Sequence, residues 1–222
     1  MSQFDDDLAA LGQGVDRFRS HVFPTRHALF QRLAAAQAPR ALFLTCADSR
    51  IVPALITHSG PGDLFIERNP GNIVPVYDET AVGVSASIEY AITALGTRHV
   101  IVCGHSDCGA MRGLLHPAKL DELPATKRWL RHGAEAMRRL QCDGGPTDEA
   151  SMLYRLTRLN VAAQMENLRT HPSVRTALAN DALRIHGWIY DIGTGMVQAY
   201  DSATGTFRDF PSEQISPQHI PS

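Results

Sequence analysis

The chain has 222 residues, 44% of them apolar and 20% charged, which is enough to bury one core without help from disulfides. With 21 Lys plus Arg against 23 Asp plus Glu, the formal net charge of -2 argues against nucleic acid or an anionic membrane as a partner. No apolar run approaches the roughly 20 residues that cross a bilayer, and the acidic opening Met1-Ser-Gln-Phe-Asp-Asp-Asp7 lacks the basic-then-apolar order of a secretory leader. The expectation is a cytoplasmic, reducing location, where Cys46, Cys103, Cys108 and Cys142 do not form a disulfide framework.

The first predicted element is helical. Phe4, Leu8, Leu11, Val15, Phe18 and Val22, then Leu29, Leu33 and Ala36, recur at helical spacing, with a break or bend at Pro24. This is an amphipathic arm over residues 1–37. Ala41-Leu-Phe-Leu-Thr45, Leu64-Phe-Ile66 and Val100-Ile-Val-Cys103 are short continuous apolar runs, the pattern of strands covered on both faces. Between the second and third, Val84, Ile88, Ala91, Ile92 and Leu95 predict a helix over 81–95 closed by Gly96, giving a strand, helix, parallel strand unit. Residues 123–140 and 152–168 read as helices, separated by the turn-rich Cys142-Asp-Gly-Gly-Pro146, and Pro172 opens another helix through Leu178. Apolar segments 183–190 and 196–200 bracket Gly193-Thr-Gly195 as a hairpin. The expected fold is α/β: a mainly parallel central sheet flanked by helices, with an N-terminal helical arm and a C-terminal antiparallel edge hairpin. One domain is expected, with the arm at 1–37, the core at 38–205 and a tail at 206–222, irregular after Pro211.

Two polar clusters sit where apolar strands end: Cys46-Ala-Asp-Ser-Arg50 after the first, and Gly104-His-Ser-Asp-Cys-Gly109 after the third. Ligands bind at the carboxyl ends of strands in open parallel sheets. Together the clusters offer two thiols, an imidazole and at least one carboxylate, the donors that zinc takes in tetrahedral geometry. His105 and Cys108 are three apart on a turn, a spacing that lets both reach one ion. A His-x-x-Cys alone would be weak evidence; its pairing with a second cluster at a strand end makes it specific. Cys103 lies inside an apolar strand and reads as a buried small hydrophobe, and Cys142 as a bystander thiol. The other histidines are scattered singly, and none is singled out as a proton shuttle. No Gly-x-Gly-x-x-Gly or phosphate-loop Lys follows the first strand, which disfavours a nucleotide site.

Cys46-Ala-Asp-Ser-Arg50 with His105-Ser-Asp-Cys108 resembles the paired signatures of the beta class of carbonic anhydrases. The likeness extends through Phe65-Ile-Glu-Arg-Asn69, Ser87-Ile-Glu-Tyr-Ala91 and His186-Gly-Trp188. The resemblance implies that Cys46, His105 and Cys108 hold one Zn2+ per subunit, with the fourth position left for water or, in a closed state, for Asp48. It implies a zinc-dependent reversible hydration of carbon dioxide to bicarbonate and a proton by attack of zinc-bound hydroxide. Asp48 would orient that nucleophile, and Arg50 would clamp Asp48 off the metal. Gln37, Phe65 and Tyr90 match positions that line the substrate site, usually from a neighbouring subunit, and the Gly109 N–H would face bicarbonate. Self-association as a dimer or higher even oligomer follows, with the arm as the clasp. Some members carry a second, inhibitory bicarbonate site; the matching positions here are Phe43, Arg68 and Tyr190, where Phe43 lacks the N–H donor of the usual Trp.

Three other readings stand beside this one. The same scaffold could hydrolyse a CO2 analogue such as carbon disulfide or carbonyl sulfide. It could be a closed zinc or bicarbonate-binding sensor. Or Cys46 or Cys108, activated by His105, could be a thiol nucleophile.

Overall fold

The computed structural model describes residues 3–78, 82–142, 144 and 148–211. The chain divides into two compact units, Met1–Ala38 and Pro39–Ser222.

In the first unit, α1 (Gln3–Arg17) presents Phe4, Leu8, Leu11 and Val15 as one stripe, all well exposed. A wide π-type turn at Phe18–Val22 leads to the one-turn α2 (Phe23–Thr25), and α3 (His27–Ala35) completes the arm. Pro24 has no N–H to give and sits in the first turn of α2, so the bend expected there occurs. Phe18, Phe23 and Phe30 close the bend as an aromatic cluster, with Phe23 stacked on Phe30 at 5.2 Å.

The second unit is built on a six-stranded sheet in the order β2-β1-β3-β4-β5-β6. The strands β1 (Ala41–Cys46), β2 (Leu64–Asn69), β3 (His99–His105) and β4 (Arg184–Tyr190) run parallel. The antiparallel β5 (Val197–Asp201) and β6 (Thr206–Phe210) extend the edge. The expected hairpin is therefore a three-strand meander, and β6 occupies residues expected to be tail. Its Phe207 and Phe210 are three apart with Arg208 and Asp209 between them, so its five residues carry no period-two alternation to mark a strand. The stretch after Pro211 lies outside the described residues.

β1 is buried along its whole length, as a strand covered on both faces must be. Leu42, Leu44, Val100, Val102 and Ile189 face α5 (Val82–Glu89), α9 (Glu149–Leu168) and α10 (Pro172–Ala179). On the other face Ala41, Phe43, Ile101 and Cys103 pack with Leu64, Trp188 and Tyr190. Cys103 is buried as expected, and burial pushes its thiol up to about 12. The short α4 (Pro53–Ile56) and α6 (Gly109–Leu115) follow the ends of β1 and β3 respectively. The helix predicted over 81–95 is α5 running into a π-type turn at Tyr90–Ala94, and Gly96 takes the left-handed φ of +64° that ends it.

The single helix expected over 123–140 is instead α7 (Pro124–Trp129), a 3-10 turn at Leu130–Gly133 and α8 (Ala134–Cys142). Gly133 ends that 3-10 turn, and its missing Cβ lets Leu114 pack close, since a Cβ there would come within 2.9 Å of Leu114 Cδ1. Cys142 is exposed at the end of α8. Of the loop expected after it, residues 143 and 145–147 lie outside the described residues.

α9 presses on the sheet where two strands carry glycine. A Cβ on Gly104 would meet Val161 Cγ2 at 2.8 Å and Ile189 Cδ1 at 3.2 Å, and one on Gly187 would meet Val161 Cγ1 at 2.9 Å. Gly104→Ala should therefore destabilise the protein by about 1–3 kcal/mol through overpacking, read as a lower urea midpoint; an unchanged midpoint would show that α9 can recede. Buried His171 donates from Nε2 to Pro75 O at 3.1 Å, and burial lowers its pKa below the ordinary 6.5. His186 is lowered too, first by burial and then by His99 and Arg184. The unfolded chain then takes up these protons before the folded one does, so stability is full above pH 6.5 and is lost as pH falls through that range. Unfolding midpoints should drop between about pH 7 and pH 5, and His171→Asn should make the drop shallower.

Candidate metal centre

Adjacent parallel strands bring the two polar clusters together. Thr45 of β1 pairs with Cys103 of β3, so β1 ends at Cys46 and β3 ends at His105 one residue further along, and both ligands leave the same end of the sheet on neighbouring strands. Cys108 follows as the residue before α6, and its carbonyl accepts the first helical bond from Arg112 N at 3.0 Å. The sulfurs of Cys46 and Cys108 are 4.0 Å apart, and with a His105 ring nitrogen all three donor atoms lie within 4.8 Å of one another. All three residues are buried, and among the described residues they are the group suited to hold a metal ion.

Local hydrogen bonds prepare these atoms. His105 Nδ1 lies 2.8 Å from Ser106 O, and because a carbonyl only accepts, Nδ1 carries the proton. Nε2 then presents a lone pair, buried and without a hydrogen-bond partner. Gly71 N donates to Cys46 Sγ at 3.3 Å. The Cys108 thiol and this N–H pull the Cys46 thiol down against the effect of burial, while Cys108 is raised by its neighbouring sulfur and by burial. A cation held between the two sulfurs would favour both as thiolates.

Asp48 stands beside them, with Oδ2 3.9 Å from His105 Nε2. Its Oδ1 accepts from Arg50 N at 3.0 Å and Arg50 Nε at 2.9 Å, and its Oδ2 accepts from Arg50 Nη2 at 2.8 Å. This bidentate fork holds the carboxyl well below the usual carboxylate range. Arg68 crosses from β2 to tie down the same loop, donating to Cys46 O at 3.1 Å and Asp48 O at 2.6 Å.

A family model described as carbonic anhydrase matches residues 41–197. A carbonic anhydrase of Pseudomonas aeruginosa is 50% identical over 194 residues, covering 87% of this chain and 88% of the relative. The solved structure of the β-carbonic anhydrase CcaA aligns with a TM-score of 0.90 at 39% identity, over 94% of both chains. The chain belongs to the β-carbonic anhydrase family. A tetrameric β-carbonic anhydrase from Sordaria macrospora aligns with a TM-score of 0.77 at 30% identity, over 87% of this chain and 96% of that one.

The other residues singled out for substrate are not all gathered here. Gly109 adjoins Cys108, and a Cβ there would meet nothing within 4 Å, so the space over its backbone is open. Phe65 and the half-exposed Tyr90 touch each other, with ring centroids 6.0 Å apart. However, Cys46 pairs with Asn69, and Phe65 lies four residues back along β2, about 13 Å at the usual rise per residue. Within one chain, that aromatic pair stands away from the metal-ligand end. Gln37 is in the N-terminal unit and exposed. Tyr190 pairs in register with His105 and packs near Phe43, which is edge-on to Trp188.

Sequence reasoning missed a polar stripe on α9. Asn160 donates to Gly71 O at 2.9 Å, and Gln164 donates to Asn160 Oδ1 at 3.0 Å and accepts from Val74 N at 2.8 Å. Asn167 donates to Val74 O at 2.8 Å, and Trp129 Nε1 donates to Pro70 O at 2.9 Å. Asn160, Gln164 and Asn167 follow helical spacing and hold the segment that aims the Gly71 N–H at Cys46. The same spacing in sequence looks like a solvated face. Asn160→Ala frees Gly71 O and should weaken the affinity of the site for a metal ion about tenfold, in the range for loss of a group that supports a ligand. Competition with a chromogenic chelator measures this, and unchanged affinity would separate the stripe from the metal centre.

Proposed function

We propose that this member of the family catalyses the reversible hydration of carbon dioxide to bicarbonate and a proton, using one zinc ion per chain. The observation that carries the reading is the buried set of two sulfurs and an unpartnered imidazole nitrogen beside a clamped, ionised carboxylate.

These donors fit zinc. Two cysteines and a histidine leave one of four tetrahedral positions for chemistry, and a cation would give the unpartnered His105 Nε2 a partner within reach of both sulfurs. Cys46, His105 and Cys108 would hold the ion. When bound, zinc supplies Lewis acidity that brings the pKa of water from 15.7 toward about 7.

The protein's own groups do the rest. Asp48 Oδ2 accepts the O–H of the nucleophile and turns its lone pair toward the carbon of CO2. Arg50 keeps that carboxylate ionised and withholds it from the metal. If the pair breaks, Asp48 is free to become the fourth ligand and close the site. The open backbone at Gly109 receives the bicarbonate oxygen, and the proton leaves to buffer.

Assembly completes the pocket. Phe65 and Tyr90 offer apolar ring faces suited to CO2, and their separation from the ligands of their own chain favours a site shared between subunits, with Gln37 contributing from the arm. The exposed apolar stripe of α1 would clasp a second copy, giving a dimer or higher even oligomer, and the Sordaria macrospora relative is itself tetrameric. Arg68 and Tyr190 remain the positions for a second bicarbonate, although Arg68 already donates to two backbone carbonyls. Four free cysteines suit a reducing cytoplasm. Among the described residues no helix is long and apolar enough to cross a membrane.

Stopped-flow CO2 hydration from neutral to alkaline pH, with zinc measured in the same preparation, tests the proposal. About one zinc per chain is expected, and Asp48→Ala should lower kcat about 100-fold through loss of the hydrogen bond that orients the nucleophile. Arg50→Ala should lower it too, by freeing Asp48. Zinc-loaded protein that hydrates no CO2 at alkaline pH would sink the reading; a zinc-free protein alkylated rapidly at Cys46 would favour the thiol nucleophile.

A further inference from the structure

Arg50 has two edges, and only one is spent on Asp48. Its Nη2 also donates to Asp107 O at 3.1 Å, and its Nη1 lies 3.4 Å from Asp107 Oδ2. The other carboxylate oxygen of Asp107 accepts from Arg112 Nη2. The result is a line of alternating charge, Arg112, Asp107, Arg50, Asp48, running from α6 to the open side of the metal centre. Asp107 sits between His105 and Cys108 with a left-handed φ of +56°, a conformation that Asp and Asn tolerate better than other non-glycine residues. That turn points its carbonyl and its carboxylate at the same guanidinium.

We infer that Asp107 and Arg112 are positioning residues that hold the Asp48–Arg50 clamp engaged, and thereby keep Asp48 off the metal. The inference rests on the zinc reading above. A guanidinium anchored on one edge can swing about its flexible stem, whereas one gripped on two edges is fixed in the plane that Asp48 needs. Arg112 matters because it holds the other oxygen of the Asp107 carboxylate. Without it, that carboxylate is free to turn away from Arg50, and the second grip is lost. The side chains of Arg50, Asp107 and Arg112 are each about half exposed, so the network contributes little to stability. Its effect is on geometry. The loop that carries two ligands thus also controls the gate built on the first strand's loop.

The test uses the full-length protein with zinc or with cobalt, whose visible spectrum reports the ligands around the ion. Asp107→Asn keeps the size and the tolerance for positive φ while removing the charge. It should lower kcat about tenfold with KM within about twofold, at unchanged metal content and thermal midpoint, as expected when a group acts through another. The cobalt spectrum should shift toward that of a carboxylate-ligated ion. In the Asp48→Asn background the same change should add no further shift, because the group being released is gone. Arg112→Met should lower kcat by about two- to fivefold, and Arg112→Lys should restore most of it.

Three results would overturn the inference: a wild-type cobalt spectrum and kcat in Asp107→Asn, a spectral shift that persists in the Asp48→Asn background, or a crystal structure of Asp107→Asn with Arg50 still seated on Asp48. Protein that binds cobalt but hydrates no CO2 would overturn the proposed activity instead, and the spectra and crystal structure would still decide the relay.

Discussion

The parallel pairing of β1 with β3 is the constraint on which the rest of the site depends. Cys46 and Cys108 are 62 residues apart in the chain, yet their sulfurs approach to 4.0 Å because β1 and β3 are neighbours whose register brings the end of β1 at Cys46 to within one residue of the end of β3 at His105. A one-residue slip would turn His105 to the opposite face of the sheet and dissolve the donor set. The register is in turn fixed by burial on both faces and by glycines at 104 and 187, which let α9 seat directly on the strands.

Bringing two sulfurs and an imidazole together in a buried place is electrostatically costly, and much of the surrounding structure offsets that cost. Gly71 N–H bonds one sulfur, Ser106 O fixes the imidazole tautomer, and Arg68 ties down the carbonyls of Cys46 and Asp48. The buried amides of α9 belong to the same scheme, since they fix the peptide segment that supplies the Gly71 N–H. Rigidity follows from saturation: Asn160 and Gln164 use donor and acceptor together, so neither can move without leaving a buried polar atom unpaired.

What could be read from the sequence was whatever is local or repeats. Continuous apolar runs located β1, β2 and β3, and the two clusters at their ends held the residues that the structure gathers. Residues that act across the fold were hidden. Arg112 looks like a helix-surface cation until Asp107 is seen to turn back on it, and Asn160 and Gln164 look solvated until the segment over them is placed. The close packing of Leu114 at Gly133 is a contact across the fold, and β6 was lost because its five residues carry no period-two alternation. Phe65 and Tyr90 were matched by family likeness, and the sheet register sets Phe65 four residues back along β2 from the metal-ligand end.

The separation of the ligands along the chain also orders the way the centre comes into being. A nascent or unfolded chain offers only His105 and Cys108 as a local pair, with Cys46 tethered through a long loop whose closure carries an entropic cost. Parallel pairing of distant strands is a slow, non-local step in folding. The complete donor set therefore exists only after the topology has formed, so a metal ion held by it would be a late arrival to a finished pocket rather than a nucleus around which the sheet condenses.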